Sequence, residues 1–423
     1  MKKSIHYLKI TLFTILIIGL NQSCEPDDLS ESEENFVSKQ DAQRVAENLL
    51  FPDTDRSDTA SFRLNKDDYT TQKSVSTIEE ITGRHSDPLF YVVNYDNGGF
   101  AIISGDKRVE PVMAYSKHNH FPIEDKMSLP PGLADWLEDY AAIILEVRKE
   151  KTSASDRISS MWERILDTQF NIDFLELLTC EDGSIDFGEY VEKKILLDTE
   201  WSQGCGYNLF LADSCTVRCN RPPVGCVATA IAQILKYHAD KTWGGAYMIG
   251  STGGNQGNAK SLDWANMPLT GVNQNNHGDI PELMEDLGIF LLMNYSCTGS
   301  GTNYARAFNT ITNDFSFSGT QRDVNGLSDY TVILNDIKDN QPVYMRGNET
   351  RESENLKGEL EVSYPGHGWV ADGYSRFHQC RSGFTDDFKI HMNWGWGGNH
   401  DGYYVKKEGS FNENRQIIYN ITP

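Results

Sequence analysis

Basic side chains are scarce in this sequence of 423 residues: 38 Lys and Arg stand against 61 Asp and Glu, a formal net charge of −23. A surface this acidic repels a phosphate backbone, and no dense run of Lys or Arg offsets it, so nucleic acid is excluded as a partner. Long apolar runs are lacking too. The N-terminal run from Leu8 to Leu20 falls short of the ~20 residues that a spanning helix needs. Internal repeats and low-complexity tracts are absent, apart from an acidic tether at residues 25–35. What remains is an ordinary globular composition, 39% hydrophobic and 23% charged, in a chain long enough for two cores.

Lys2, Lys3 and Lys9 flank or enter the Leu8–Leu20 run, which gives way to NQSCEPDD. That is the order of a signal peptide, so residues 1–24 read as an export signal. Cys24, followed by Glu25, Asp27 and Asp28, resembles the Bacteroides-type lipoprotein signal with its loose lipobox. The resemblance implies lipid on Cys24 and an outer-membrane or cell-surface anchor. Plain secretion is the alternative. Export permits disulfides. With Cys24 lipidated and Cys226 a free thiol, Cys180, Cys205, Cys215, Cys219, Cys297 and Cys380 remain, and the sequence leaves their pairing open.

Downstream of the tether, SKQDAQRVAENLLF predicts a helix capped by Ser38. PLFYVVNYDNGGFAIIS predicts a hairpin, with strands Leu89–Tyr95 and Phe100–Ser104 around a turn at Asp96–Gly99. VEPVMAYS offers another strand, and Leu133 to Met161 reads as one helix opened by Pro130 and Pro131. Weak periodicity across 165–192 marks a boundary, dividing the chain into a domain at 36–192 and a second at 193–423.

The second domain holds the chemistry. In GCVATAIAQILKYH, Val227, Ala230, Ile231, Ile234, Leu235 and His238 recur at helical spacing and form the apolar face of an amphipathic helix. Pro222, Pro223 and Gly225 place Cys226 at its N-terminus, where free N–H groups and the helix dipole favour a thiolate. A buried packing cysteine or a disulfide half is the plain alternative. A thiolate nucleophile needs a base, and PGHGWVADGY offers His367 between two glycines at the head of an apolar strand. In NWGWGGNHDGYY, Asn393 is placed to hold His367 and Trp394 to shield that contact. Gln203, in SQGCGYN, and the Cys226 N–H supply donors for a developing oxyanion. Two other readings compete. Cys215, Cys219, Cys226 and His238 suggest a zinc site, and Trp394 with Trp396 suggests a glycan-gripping surface.

In this order, SQGCGYN, GCVATAIAQILKYH, PGHGWVADGY and NWGWGGNHDGYY resemble the streptopain family of papain-like cysteine peptidases. LDWANMP and LNDIKDNQPVYMRG are similar to the family's linking segments, and FYVVNYDNGGFAIISGDKRVEPVMAYS to its inhibitory propeptide. The resemblance implies an α+β fold: a two-lobed peptidase, helical lobe plus antiparallel β lobe, behind an α+β propeptide domain. It implies Cys226 as nucleophile, His367 as base, Gln203 as oxyanion donor, and Asn393 and Trp394 as supports of His367. It further implies protein or peptide substrates, the chain's own propeptide as inhibitor, and neither metal nor organic cofactor. Processing is expected near Lys193-Lys194. Cys205, Cys215, Cys219 and the polar segment NETRESENLKGELEVSYP depart from the family pattern. A catalytically inactive surface-binding protein on the same fold is the alternative function.

Overall fold

Ser38 caps its helix reciprocally: the Asp41 N–H donates to Ser38 Oγ at 3.0 Å, and the Ser38 N–H to Asp41 Oδ2 at 3.4 Å. The structure, a computed structural model, describes residues 35–52, 62–64, 70–83, 87–122, 129–167, 169–171, 190–216, 219–242, 248–249, 260–324, 326–348, 351–354, 360–363, 366–378, 388–406 and 415–423. The export signal, Cys24, almost all of the acidic tether, Cys180 and Cys380 lie outside the described residues. The chain divides into two compact units. One comprises Met1–Pro52, Tyr69–Leu129 and Leu137–Thr179; the other comprises Asp53–Asp68, Pro130–Trp136 and Cys180–Pro423.

In the first unit, helix α1 (Lys39–Asn48) buries Ala42, Val45 and Ala46. An antiparallel sheet runs in the order β4-β3-β2-β1, from strands β1 (Val75–Thr82), β2 (Pro88–Tyr95), β3 (Phe100–Ser104) and β4 (Val112–Ser116). The predicted hairpin is β2–β3. A Cβ at Gly98, where φ is +87°, would fall 2.3 Å from the His118 carbonyl oxygen, so the turn requires glycine. Tyr91 and Tyr95 hydroxyls donate to the carbonyls of Val37 and Ala46, at 2.7 and 3.0 Å, joining helix to sheet. The single helix expected from Leu133 to Met161 is two, α2 (Pro131–Lys149) and α3 (Asp156–Asp167). Lys151 turns left-handed at φ 49°, and Ser155 Oγ accepts the Ile158 N–H at 3.3 Å to start the second.

The second unit sets helices α4 (Cys226–Thr242) and α5 (Ile280–Phe290) before most of an antiparallel sheet, the order expected of a helical part followed by a β part. Its main strands are β5 (Tyr190–Ile195), which also pairs with Phe62–Leu64, β6 (Ser318–Asp323), β7 (Val343–Asn348), β8 (Gly366–His378), β9 (Phe388–Asn393), β10 (Gly402–Val405) and β11 (Gln416–Thr422). The path is β6-β11-β7-β8-β9-β10, and β5 pairs with β8 from Gly373 to His378, beyond the stretch taken by β7. Helix α4 packs on β8 and α5. It is buried nearly all round, Thr229, Gln233 and Lys236 included, so it is a core helix and not the amphipathic one its apolar spacing suggested. The polar segment before His367 contains an antiparallel pair, Arg351–Glu354 with Leu360–Ser363.

The basic pair Lys193-Lys194, near which processing is expected, lies within a strand. Both are buried in β5: Lys193 Nζ lies 4.8 Å from the Tyr403 ring centre, and Lys194 Nζ donates to the Lys338 carbonyl at 2.8 Å. A protease needs extended, accessible backbone, which a strand paired in a sheet does not offer.

Candidate active site

Gly225, at φ +96°, turns the chain into α4 and leaves Cys226 as its first residue. Cys226 is the one free cysteine among the described residues, and it is buried. Its sulfur accepts the Gly368 N–H at 3.3 Å, which ties the helix start to the residue next to His367. The Gly368 N–H favours the thiolate, as do the N–H groups of Val227 and Cys226 at the helix start, where the N-terminal effect is expected, and the Arg346 charge from a neighbouring strand. Burial outweighs them and pushes the thiol above its ordinary range, so here Cys226 is a neutral thiol.

His367 stands near the head of β8, opposite Gly347 of β7. Its ring stacks on Trp369 at 5.8 Å and meets Trp396 edge-on at 5.0 Å. Burial pushes its pKa down to about 3, against a hydrogen bond to the Trp394 main chain that acts the other way. Nε2 is buried without a hydrogen-bond partner. The imidazole is therefore neutral and makes no hydrogen bond to the Cys226 thiol.

Asn393 does not hold His367 in this structure. Its Nδ2 donates to the Thr199 carbonyl at 2.8 Å and to Gln233 Oε1 at 3.3 Å; its Oδ1 accepts Gln233 Nε2 at 3.0 Å and the Gly395 N–H at 3.1 Å. Both donors and both lone pairs are thus occupied, and none is left for the imidazole. Trp394, fully buried, packs on Trp369 at 5.2 Å and Tyr404 at 5.4 Å, while Trp369 and Trp396 flank His367. A buried Trp394 is no platform for a sugar. Its main-chain N–H donates to Asp401 Oδ1 at 2.7 Å.

Gln203 is tied to the nucleophile loop by its carbonyl, which accepts the Val224 N–H at 3.0 Å. Its side-chain Nε2 is buried with no hydrogen-bond partner. The flanking cysteines form two disulfides, Cys205–Cys219 and Cys215–Cys297. Two of the three cysteines offered for zinc, Cys215 and Cys219, are therefore oxidised, and these neighbours are not bonded to each other.

The segment Pro130–Trp136 belongs to this same unit and lies on the aromatic cluster. A Cβ at Gly132 would come 2.7 Å from Trp369 Cζ3 and 3.1 Å from Trp394 Cζ3. The Trp136 indole N–H donates to the Val405 carbonyl at 3.2 Å, and its ring meets Tyr404 at 5.0 Å. Sequence reading noted Gly368 beside His367 but missed its N–H as a donor to the thiol, and it missed Arg346 and Gln233; a lone amide inside an apolar helix was the available sign for the last.

A thiol at the head of a buried helix, hydrogen-bonded from the strand that carries a histidine, marks the class: a papain-like cysteine peptidase. Residues 201–404 match the model of the Peptidase C10 family, and residues 34–144 match that of the Spi protease inhibitor. The two matches run in the order of a Spi-type inhibitor domain followed by a Peptidase C10 domain, and the chain is similar to the streptopain family across both. It is 28% identical to streptopain of Streptococcus pyogenes over 355 residues, covering 76% of this chain and 75% of streptopain. It is 23% identical to the thiol protease/hemagglutinin PrtT of Porphyromonas gingivalis over 369 residues, 79% of this chain and 37% of that protein. The Prevotella intermedia prointerpain A fragment superposes with a TM-score of 0.51 at 20% identity, covering 82% of this chain and 99% of the fragment.

Proposed function

We propose that the chain is an exported cysteine endopeptidase zymogen with Cys226 as nucleophile, His367 as base and Gln203 as oxyanion donor. The carrying observation is the Gly368 N–H on Cys226 Sγ, which brings the neighbour of His367 onto the thiol. The structure has the character of the latent form: Pro130–Trp136 covers the indoles around His367, and thiol and imidazole are both neutral. On activation the imidazole turns from the Trp394 main chain to Cys226, and transfer of the thiol proton forms the ion pair. The thiolate attacks the scissile carbonyl carbon, forming a C–S bond while the oxyanion takes the N–H of Cys226 and Gln203 Nε2. Collapse breaks the C–N bond, and the imidazolium proton leaves with the amine. Water, deprotonated by His367, then attacks the thioester carbonyl; the C–S bond breaks, releasing the acid and regenerating the thiol.

Asn393 supports this arrangement through the turn it anchors, since it has no free group for the imidazole. Lipid on Cys24 is the proposed anchor, so removal of the propeptide also releases the enzyme. The test expresses residues 25–423 under mild reduction and measures casein cleavage with epoxide labelling. Wild type cleaves and labels, and Cys226→Ala does neither. Equal behaviour refutes the assignment. Fatty-acid labelling of wild type but not Cys24→Ser tests the anchor.

A further inference from the structure

Gln233 is fully buried on the nucleophile helix, two turns beyond Cys226 and on the same side, about 10 Å along the axis. An uncharged polar side chain in such a place is stable only with its hydrogen bonds made. Its Oε1 accepts the Trp201 N–H at 3.1 Å, just upstream of Gln203. Its Nε2 donates to Asn393 Oδ1 at 3.0 Å, and Asn393 Nδ2 returns a bond to Oε1 at 3.3 Å. The two amides are thus paired face to face. Trp201 is fixed from the far side as well, by its indole N–H on the Pro268 carbonyl at 2.9 Å. Asn393 passes its position to Gly395, whose N–H it accepts at 3.1 Å, so the intervening Trp394 main chain is fixed at the point where His367 hydrogen-bonds.

We propose that Gln233 is a positioning residue for peptide hydrolysis. Its single amide aligns the Gln203 loop and the Asn393–Trp394 turn on the helix that carries Cys226. The inference rests on the catalytic assignments above. A side chain that only filled space would leave the rate per folded active site unchanged on replacement by an isosteric apolar group. A positioning amide would not, because small displacements of reacting groups cost catalysis and not substrate binding.

The experiment compares wild type, Gln233→Met, Gln233→Glu and Cys226→Ala, each expressed as residues 25–423 and processed. Hydrolysis of a fluorogenic casein-derived peptide is followed across pH, with kcat expressed per thiol titrated by the epoxide, and per chain for Cys226→Ala, which has no thiol to titrate. Gln233→Met is expected to keep KM and lose about 10²-fold in kcat. Gln233→Glu restores the pattern only when its carboxyl is protonated, because the neutral acid accepts from Trp201 and donates to Asn393. Its kcat relative to wild type therefore rises as pH falls. Wild-type kcat in Gln233→Met, or a pH-independent ratio for Gln233→Glu, overturns the proposal. Should Gln233→Met fail to fold, the Gln233→Glu ratio alone decides. Wild type no more active than Cys226→Ala refutes the peptidase reading itself, and the inference with it.

Discussion

Replacing Gly132 with alanine tests the latent state with a single methyl group. The added Cβ falls 2.7 Å from Trp369 Cζ3, 2.9 Å from Trp369 Cε3 and 3.1 Å from Trp394 Cζ3, all well inside ordinary contact. Those are ring carbons of indoles exposed by only 2% and 1%, so they have little freedom to move aside. Overpacking of this kind costs about 1–3 kcal/mol, which multiplies the population of the displaced segment by roughly 5 to 150. The assay follows epoxide labelling of Cys226 in the intact chain, by mass spectrometry, before cut fragments accumulate. Gly132→Ala should label faster by up to that factor. Labelling at the wild-type rate, in a variant with a wild-type circular dichroism spectrum, would show that Pro130–Trp136 does not restrain the site.

Other consequences follow from burial and connectivity. Gln203→Ala should lose about 10²–10³-fold in kcat with KM little changed, as for other oxyanion donors; steady-state kinetics of the processed enzyme check this. The retracted His367 has a pKa pushed down to about 3, below the ordinary value of 6.5, so the folded latent state binds fewer protons than the open one. Its stability is complete above about pH 6.5 and falls, by up to tenfold in population per unit, as pH drops toward 3. Autoprocessing of the wild type should accordingly speed up as pH is lowered through 6, and a pH-independent onset would contradict the placement of the ring. Loss of Cys215–Cys297, with a sequence separation of 82, should cost about 4–5 kcal/mol on loop-entropy grounds. Loss of Cys205–Cys219, with a separation of 14, should cost about 3 kcal/mol, and thermal unfolding of the paired Cys→Ser variants gives the order.

Local signals carried well from sequence to structure. The Ser38 cap, the β2–β3 hairpin and the start of α4 at Cys226 all follow from side chains acting on their own backbone. Features set by distant partners did not carry. The Lys193-Lys194 pair reads as an accessible processing point until Tyr403 and the Lys338 carbonyl are seen to receive it. The apolar spacing of α4 shows one face, yet β8, α5 and their neighbours enclose the rest. Asn393 stands in the right order for an imidazole support, but composition does not say where an amide makes its hydrogen bonds; Gln233 and Thr199 claim this one. The position of the His367 ring depends likewise on Trp369, Trp396 and the Trp394 main chain.

The central claim is that Cys226 is the thiol that cleaves peptide bonds. It is tested most directly by mass spectrometry of the epoxide-inactivated enzyme, read beside casein hydrolysis by Cys226→Ala. The account predicts one adduct per chain, on the peptide containing Cys226, with activity lost in proportion and no cleavage by the variant. An adduct elsewhere, or casein cleavage by Cys226→Ala at the wild-type rate, would contradict it.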